Sequence, residues 1–331
     1  MKFALDAMGG DFAPHAVIQG ALDALEKTSK PLGIILVGDE TAIHKELDGR
    51  NTDAIEIFHT DEVVTMEDKG SKVFKQKPNS SLVQGIRMVK NGDADGFISA
   101  GHTGAVMSTS LLSLGRIPGV RRPALAAFFP TEGRGKVLCD VGANPDAKPE
   151  HLVQFALMAS HYYDHVEGFA SPKIGLINIG AEPSKGSELY VETYKLLSEM
   201  PNFVGNIEGR HLLTSEADVL ICDGFVGNTL LKFAEFWITF FTNEIKTKSD
   251  EKLSYKIGAS LMKPILNDLI NRFDYEEHGG VPLLGVNGIS IVCHGSSGPR
   301  SIMNSIFLGQ KCIENNLIAD TQKSLANHFG N

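Results

Sequence analysis

The sequence predicts an α/β protein built on a parallel sheet. Short runs rich in apolar and β-branched residues recur along the chain, and nearly all of them end in glycine or aspartate. Between them lie segments of helix length with an apolar period near 3.6, for example 16–25, 81–89 and 151–162. Strands that alternate with helices in this way are typical of a parallel sheet with right-handed crossovers.

Eight segments carry the strand pattern, and a ninth region departs from it. The predicted strands are 1–8, 32–38, 54–60, 96–101, 136–142, 173–180, 219–224 and 289–295. Residues 229–275 are continuously compatible with helix, apolar almost all round at first and amphipathic from 257 to 270, which predicts a protrusion of two helices. Pro264 is expected to end or kink the second one. No linker divides the chain, so 1–331 is predicted to form a single domain with this helical protrusion.

Composition excludes several classes of function. The chain has 331 residues, 42% of them hydrophobic, and a net charge of −9, which argues against a nucleic-acid-binding protein because such proteins need a basic surface. The four cysteines form no CxxC pair, so neither a metal site nor a disulfide framework is expected, and a reducing, cytoplasmic compartment fits. No apolar run approaches the roughly 20 residues of a membrane span.

The turns that follow the predicted strands are the candidate functional site. Parallel α/β sheets bind ligands outside the carboxyl ends of their strands. The first such turn contains Asp6, Gly9 and Gly10, where two glycines allow close approach of the backbone to a ligand. The alternative is a tight turn in which Asp11 caps a helix that begins near Pro14.

A second turn is better suited to an anion. Small residues and hydroxyls precede a predicted helix here, so backbone N–H groups would face a bound phosphate. The candidates are Ser99, Gly101, His102, Thr103 and Gly104. The turn matches neither the P-loop nor the dinucleotide pattern, so we expect no ATP, NAD or other cofactor. A plain capping turn is the alternative.

Two later turns supply the candidate catalytic side chains. Lys185, among small residues after a buried strand, is placed to hold phosphate or a developing oxyanion. Asn228 follows Asp223 and Gly227 and can donate a hydrogen bond to a carbonyl oxygen. The alternatives are a solvated loop lysine and an asparagine that caps the helix.

The last strand-end turn offers His294 and Ser296, although a single histidine is more often structural. Cys222 and Cys293 also lie at strand ends. Buried cysteines usually behave as small apolar residues, so we do not expect a cysteine nucleophile.

Taken together and in order, these turns resemble the PlsX family of bacterial phosphate acyltransferases from end to end. The matching motifs are DAMGGDFAP, SAGHTGA, GRIPGVRRPALA, DVGAN, NIGAEPSKG, DGFVGN, GGVPLLGVNG and HGSS. The resemblance implies a three-layer α/β/α, Rossmann-like fold similar to isocitrate dehydrogenase-like and phosphotransacetylase-like enzymes. It also implies a homodimer at the inner face of the membrane.

The activity implied by the resemblance is the reversible formation of acyl-phosphate from acyl-carrier protein and inorganic phosphate. The product would pass to a membrane glycerol 3-phosphate acyltransferase of the PlsY type in phospholipid synthesis. Lys185 and Asn228 match the family's suspected catalytic pair, and Asn144 of DVGAN joins the expected substrate contacts. His102 stands where many relatives carry asparagine, and residues 298–300 depart from the residues expected after HGSS.

Two other functions remain open from the sequence. A phosphotransacetylase that uses acyl-CoA would share the fold and the acyl-phosphate chemistry. A catalytically silent protein that binds acyl-carrier protein or lipid is the alternative from another class.

Overall fold

The computed structural model describes residues 1–50, 53–129, 131, 133–272 and 275–329. Its strands are β1 (Lys2–Asp6), β2 (Gly33–Gly38), β3 (Ile55–His59), β4 (Gly96–Ser99), β5 (Ala124–Phe129), β6 (Lys136–Cys139), β7 (Ile174–Asn178), β8 (Phe203–Glu208), β9 (Val219–Ile221), β10 (Val281–Leu284) and β11 (Ile289–Val292). Its α-helices are α1 (His15–Lys27), α2 (Glu40–Leu47), α3 (Gly70–Gln76), α4 (Ser81–Asn91), α5 (Thr103–Leu114), α6 (Pro149–His161), α7 (Glu188–Leu197), α8 (Gly224–Glu251), α9 (Leu253–Arg272), α10 (Pro299–Glu314) and α11 (Leu317–Phe329).

The strands form one sheet in the order β3-β2-β1-β4-β11-β10-β5-β6-β9-β7-β8. The first five are parallel to one another and form the first block. The last four are also parallel and form the second block. The three pairings between the blocks, through β10 and β5, are all antiparallel, so the blocks run in opposite directions. The expectation that all strand-end turns share one end of a parallel sheet was therefore wrong.

Helices cover both faces of this sheet, which confirms the three-layer α/β/α prediction. Successive residues of β1 show why: Phe3 and Leu5 belong to one apolar core, while Ala4 belongs to the core on the opposite face. Buried side chains of α1, α6 and α10 fill the first core, and those of α4 and α5 fill the second. Each of the eight predicted strands is confirmed, and β5, β8 and β10 were missed.

The predicted protrusion is a pair of long helices, α8 and α9, that pack against each other. Helix α9 continues through Pro264, so the helix does not end there, and the kink stays a prediction. Pro264 is exposed, which leaves the carbonyl group that loses its hydrogen bond accessible to water. Residues 273 and 274 of the predicted segment lie outside the described residues.

Large apolar side chains are exposed on both helices of the pair. Phe233 and Phe236 on α8 are 58% and 59% exposed, and Leu261 on α9 is 77% exposed. The sequence allows three roles for the apolar part of α8, namely burial within the chain, the core of a dimer and contact with an acyl chain. Burial within the chain does not hold for Phe233 and Phe236, and the dimer core and the acyl contact stay predictions. None of the helices in the described part of the chain is both long enough and apolar enough to cross a bilayer.

Candidate active site

The carboxyl ends of the first block bring three predicted turns together. The buried Asp6 carboxylate accepts hydrogen bonds from Ser81 Oγ at 2.6 Å and Ser99 Oγ at 2.7 Å, and so ties the turn after β1 to the turn after β4. Burial raises the pKa of Asp6, although these hydrogen bonds act in the opposite direction. A Cβ atom on Gly9 would lie 2.9 Å from the backbone nitrogen of Gly101, so position 9 needs glycine for the two turns to pack this closely.

The turn after β1 also packs closely against the turn after β11. A Cβ atom on Gly10 would lie 2.9 Å from Ala100 Cβ and 3.2 Å from the carbonyl oxygen of Gly295, in the turn after β11. The backbone N–H of Asp11 donates to that same oxygen at 2.8 Å. Helix α1 has Pro14 at its N-cap and no side-chain cap, so the expected capping by Asp11 was wrong.

His102 caps helix α5 through its ring. Its Nδ1 accepts a hydrogen bond from the backbone N–H of Ala105 at 3.3 Å, which leaves the proton of the neutral ring on Nε2. Thr103 follows at the first position of α5, and Gly104 packs on the His102 ring. The capping alternative is therefore confirmed for His102, while Nε2–H can still donate to an anion beside the helix N-terminus.

His294, after β11, is hydrogen-bonded within its own turn and contacts helix α8. Its Nδ1 lies 2.7 Å from Ser296 Oγ, and its Nε2 lies 3.9 Å from Glu235 Oε2. Burial and the nearby Lys232 lower the pKa of His294, against the opposite influence of Glu235 and Asp11.

The unusual residues after HGSS have a structural explanation. Pro299 occupies the first turn of α10, a position where the missing N–H of proline costs nothing. Arg300 pairs with Glu277 at 2.7 Å and Glu276 at 3.7 Å, and so ties α10 to the segment before β10.

The carboxyl end of the second block is organised around Asp140, a buried carboxylate that the sequence reading did not select. Backbone N–H groups of Leu125, Ala143 and Asn144 donate to it at 3.0, 3.0 and 2.6 Å. The Asn144 side chain also donates to it at 2.9 Å and to the Pro123 carbonyl at 2.7 Å. Asn144 therefore builds the turn through its amide group, and a direct contact with substrate stays a prediction.

Helix α8 begins on this turn. Asp223 caps it by accepting from the backbone N–H groups of Phe225 and Val226 at 2.8 and 2.9 Å, and Tyr190 donates to its other oxygen at 2.7 Å. Gly227 packs so closely on the Asp140 carbonyl that no side chain fits. Asn228 is the fifth residue of the helix, so the alternative that it is the N-cap was wrong.

Lys185 lies in the exposed loop between β7 and α7. Its backbone carbonyl accepts a hydrogen bond from Asn178 Nδ2 at 2.9 Å, and its side chain passes over Gly180. Both Lys185 and Asn228 follow strands of the second block, so they lie at the same end of the sheet. Lys185 is not among the described residues that line the cavity below.

A cavity of about 150 Å³ lies over the centre of the sheet, where the direction of the strands reverses. It is lined by Thr103, Leu125, Ala127, Phe128, Val141, Asn228, Leu231, Lys232, Glu235, His278, Gly279, Gly280, Val281, Val292, Cys293 and His294. Its middle is apolar, and polar side chains lie towards its ends.

The register of the strands shows how the cavity is oriented. Val141, at the end near Asn228, donates its N–H to the Leu125 carbonyl at 3.0 Å. Val281 pairs with Val292, two residues before His294, and lies level with Ala127. The residues of β5 that line the cavity run from Leu125 to Phe128, so the cavity spans three residue steps, or about 10 Å at about 3.3 Å per residue. One end belongs to the turns of the first block and the other to those of the second.

Two charged residues of the cavity, Lys232 and Glu235, were not selected from the sequence. Lys232 and Glu235 lie on α8 four and seven residues after Asn228, and Leu231 completes the same helical face. Lys232 Nζ donates to Glu235 Oε2 at 2.8 Å. The spacing of three, four and seven residues from Asn228 was visible in the sequence, but the apolar residues all round the helix concealed which face met the sheet.

Comparison with known proteins places the chain in a family. Residues 1–320 match the family model described as fatty acid synthesis protein. The phosphate acyltransferase of Desulfitobacterium hafniense is 46% identical over 98% of both chains. That of Desulforamulus reducens is 46% identical over 100% of this chain and 99% of its own.

Solved structures agree on the fold. A phosphotransacetylase from Streptococcus pyogenes superposes with a TM-score of 0.60 at 17% identity, covering 95% of this chain and 94% of its own. A branched-chain phosphotransacylase from Enterococcus faecalis also gives 0.60, at 15% identity, covering 94% of this chain and 98% of its own. The ordered strand-end turns and the full-length matches lead to one conclusion: this chain belongs to the PlsX family of phosphate acyltransferases, proteins of fatty acid synthesis.

Proposed function

We propose that this protein transfers the acyl group of an acyl-carrier protein thioester to inorganic phosphate, giving an acyl-phosphate. The observation that carries the proposal is the central cavity, which joins an anion-compatible turn at Thr103 and His294 to the amide of Asn228. The similarity to proteins named phosphate acyltransferase supports the choice of reaction.

The size of the cavity suits the two reacting groups. Phosphate binds at the N-terminus of α5, beside the turns of the first block, and the thioester carbonyl accepts a hydrogen bond from Asn228. Two hydrogen bonds of about 2.9 Å and an approach of about 3 Å between the reacting atoms together span about 9 Å. This length matches the separation of about 10 Å between the two ends of the cavity.

The chemistry needs positioning and charge stabilisation. A phosphate oxygen forms a bond to the carbonyl carbon, the carbon–sulfur bond breaks, and its electron pair leaves with the thiolate. A thiol of pKa about 8.5 leaves readily as the thiolate, so no strong acid is required. Asn228 stabilises the tetrahedral oxyanion, and Lys185 offsets negative charge at the same end of the sheet.

Substitution of the catalytic pair tests these roles. Lys185→Ala and Asn228→Ala should each lower kcat roughly 100- to 1000-fold, as expected for the loss of an oxyanion-stabilising donor. Lys195→Ala and Asn243→Ala are matched controls, because both residues are exposed, on α7 and on α8. Acyl-phosphate formation at the wild-type rate in both catalytic variants would contradict the assignment.

The choice of acyl donor separates the proposed enzyme from its nearest alternative. The structural similarity to phosphotransacetylases favours acyl-CoA as a second candidate donor. Initial rates with matched acyl-CoA and acyl-carrier protein substrates decide between them, since we expect a kcat/KM at least tenfold higher with the carrier protein. If neither donor is turned over while acyl-carrier protein still binds, the protein is a non-catalytic binder instead.

The helical protrusion supports two further proposals about assembly and location. The exposed apolar side chains of α8 and α9 are suited to contact a second copy of the chain, in a homodimer, and a lipid surface near Leu261. Acyl-phosphate released there would supply a membrane glycerol 3-phosphate acyltransferase of the PlsY type. Sedimentation gives the oligomeric state, and flotation with liposomes that is unaffected by Leu261→Glu would count against the membrane contact.

A further inference from the structure

The end of the cavity assigned to phosphate must offset a considerable negative charge. Lys232 is the only permanently charged cation among the described residues that line the cavity. The other titratable side chains at this end of the cavity are Glu235, His278, Cys293 and His294, and burial raises the pKa of the Cys293 thiol to about 12, so it stays neutral. Without Lys232, the side chains near the bound anion would therefore carry a net negative charge at pH 7 when both histidines are neutral.

His294 does not replace this cation. Burial and the nearby Lys232 lower the pKa of the His294 ring, so the ring is mainly neutral near pH 7. Lys185 is outside the cavity lining and lies at the end of the sheet where the second block finishes.

The position of Lys232 is fixed by the packing of helix α8. The close contact of Gly227 with the Asp140 carbonyl and the Asp223 cap set the start of the helix on the sheet. Lys232 follows Asn228 by four residues, which is about 6 Å along the helix axis and places both on the face that covers the cavity. Glu235 Oε2 accepts a hydrogen bond from Lys232 Nζ at 2.8 Å. The same oxygen lies 3.9 Å from His294 Nε2, so the ammonium group is held near His294.

We propose that Lys232 binds the phosphate nucleophile at the His294 end of the cavity and is a catalytic residue of the acyl transfer. The assignment rests on the proposed function for the reaction and on the cavity geometry for the ligand. An ammonium group has three donors, so Lys232 can contact phosphate while it keeps its hydrogen bond to Glu235. The charge then lies beside the attacking oxygen, and Asn228 lies beside the carbonyl.

Three variants test this role. Lys232→Ala should raise the KM for phosphate roughly 10- to 100-fold, the range expected for a lost hydrogen bond to a charged group. The KM for the acyl donor should stay within about twofold of the wild type, because the donor is held elsewhere. Lys232→Arg keeps the charge and should stay closer to the wild type than Lys232→Ala. Lys248→Ala is the matched control, since Lys248 forms the same i, i+3 pair with Glu251 on the same helix, outside the cavity.

Direct binding of inorganic phosphate, followed by phosphorus NMR or calorimetry, gives a readout that does not depend on turnover. Weaker phosphate binding in Lys232→Ala than in Lys248→Ala, with matching circular dichroism spectra, supports the assignment. Equal phosphate KM and equal phosphate binding in wild type and Lys232→Ala overturn it, as does a wild type that binds no phosphate. If the wild type binds phosphate through Lys232 but forms no acyl-phosphate from any donor, the proposed function fails and the phosphate site stands.

Discussion

Replacing Asp140 with asparagine should show how strongly one buried carboxylate holds the Asn228 end of the cavity. The Asp140 carboxylate accepts from four backbone N–H groups and from the side-chain amide of Asn144 at distances between 2.6 and 3.3 Å. An asparagine has one acceptor oxygen and one NH₂ group, so in either orientation the NH₂ group faces at least two donors. Asp140→Asn therefore removes at least two hydrogen bonds without leaving space for water.

The magnitude follows from the groups that lose their partner. Each hydrogen bond to a charged group contributes about 1.5 to 3 kcal/mol, so the loss of two costs about 3 to 6 kcal/mol. The buried charge of the Asp140 carboxylate is itself unfavourable, so its removal offsets part of this cost. The same unfavourable burial raises the pKa of Asp140. The neutral amide avoids that desolvation, so we expect a net decrease of about 2 to 4 kcal/mol in the free energy of unfolding.

Urea unfolding followed by circular dichroism measures this difference. Asp146→Asn is the control, because Asp146 is exposed two residues after Asn144 and should stay within about 0.5 kcal/mol of the wild type. Acyl-phosphate formation should fall in Asp140→Asn as well, since Gly142 of the same turn packs against Asn228. If the free energy of unfolding of Asp140→Asn lies within about 0.5 kcal/mol of the wild type, as expected for the control, the Asp140 carboxylate does not hold this turn.

Two further substitutions probe other parts of the molecule. Gly227→Ala should lower the free energy of unfolding by about 1 to 3 kcal/mol and reduce activity, because a Cβ atom collides with the Asp140 carbonyl and shifts α8. Gly258→Ala on α9, which meets no atom within 4 Å, should be neutral or stabilising, and equal thermal unfolding of the two variants would disprove this explanation. Burial, and to a smaller extent the neighbouring His165, lowers the pKa of His161, whereas Asp164 and Asp320 act to raise it. The unfolded chain thus binds the proton of His161 more readily, so the free energy of unfolding should fall as the pH drops below about 6.5. His161→Gln should reduce the decrease in the unfolding midpoint between pH 7.5 and pH 5.5. A decrease as large as in the wild type would contradict this role of His161.

The sequence was sufficient to predict the strands that are followed by a turn of glycine, aspartate or other small residues. Each of the eight predicted strands lies before glycine, aspartate or another small residue, and each is present. The strands missed include β5 and β10. Strand β10 ends directly before Gly285, but it has only four residues and contains Pro282, which argues against a strand in the middle of a sheet. These two strands reverse the direction of the sheet, so their omission led to the wrong prediction of a single functional end.

Residues of the candidate site could be predicted from the sequence where they lie in a turn directly after a strand. They could not be predicted where the packing of a helix on the sheet determines which side chains reach the cavity. The turns at Thr103, Asn228 and His294 were selected from the sequence, and all three residues line the cavity. Lys232 and Glu235 were not selected, because only the packing of α8 on the sheet shows which face of the helix meets the cavity. Asp140 was passed over because only the fold shows that five donors converge on its carboxylate, four of them from residues 142–144 and one from Leu125 on the neighbouring strand.

The reversal of strand direction places two sets of strand-end turns at opposite ends of one cavity. In a wholly parallel sheet, a small anion and a bulky protein-bound chain would have to share one opening, and whichever bound first would obstruct the other. Here the helix N-terminus beside His102 lies at one end of the cavity, and the start of α8 lies at the other. On the proposed function, phosphate and the acyl carrier arrive from opposite sides and bind in either order, so steady-state kinetics should show no compulsory sequence of substrate addition.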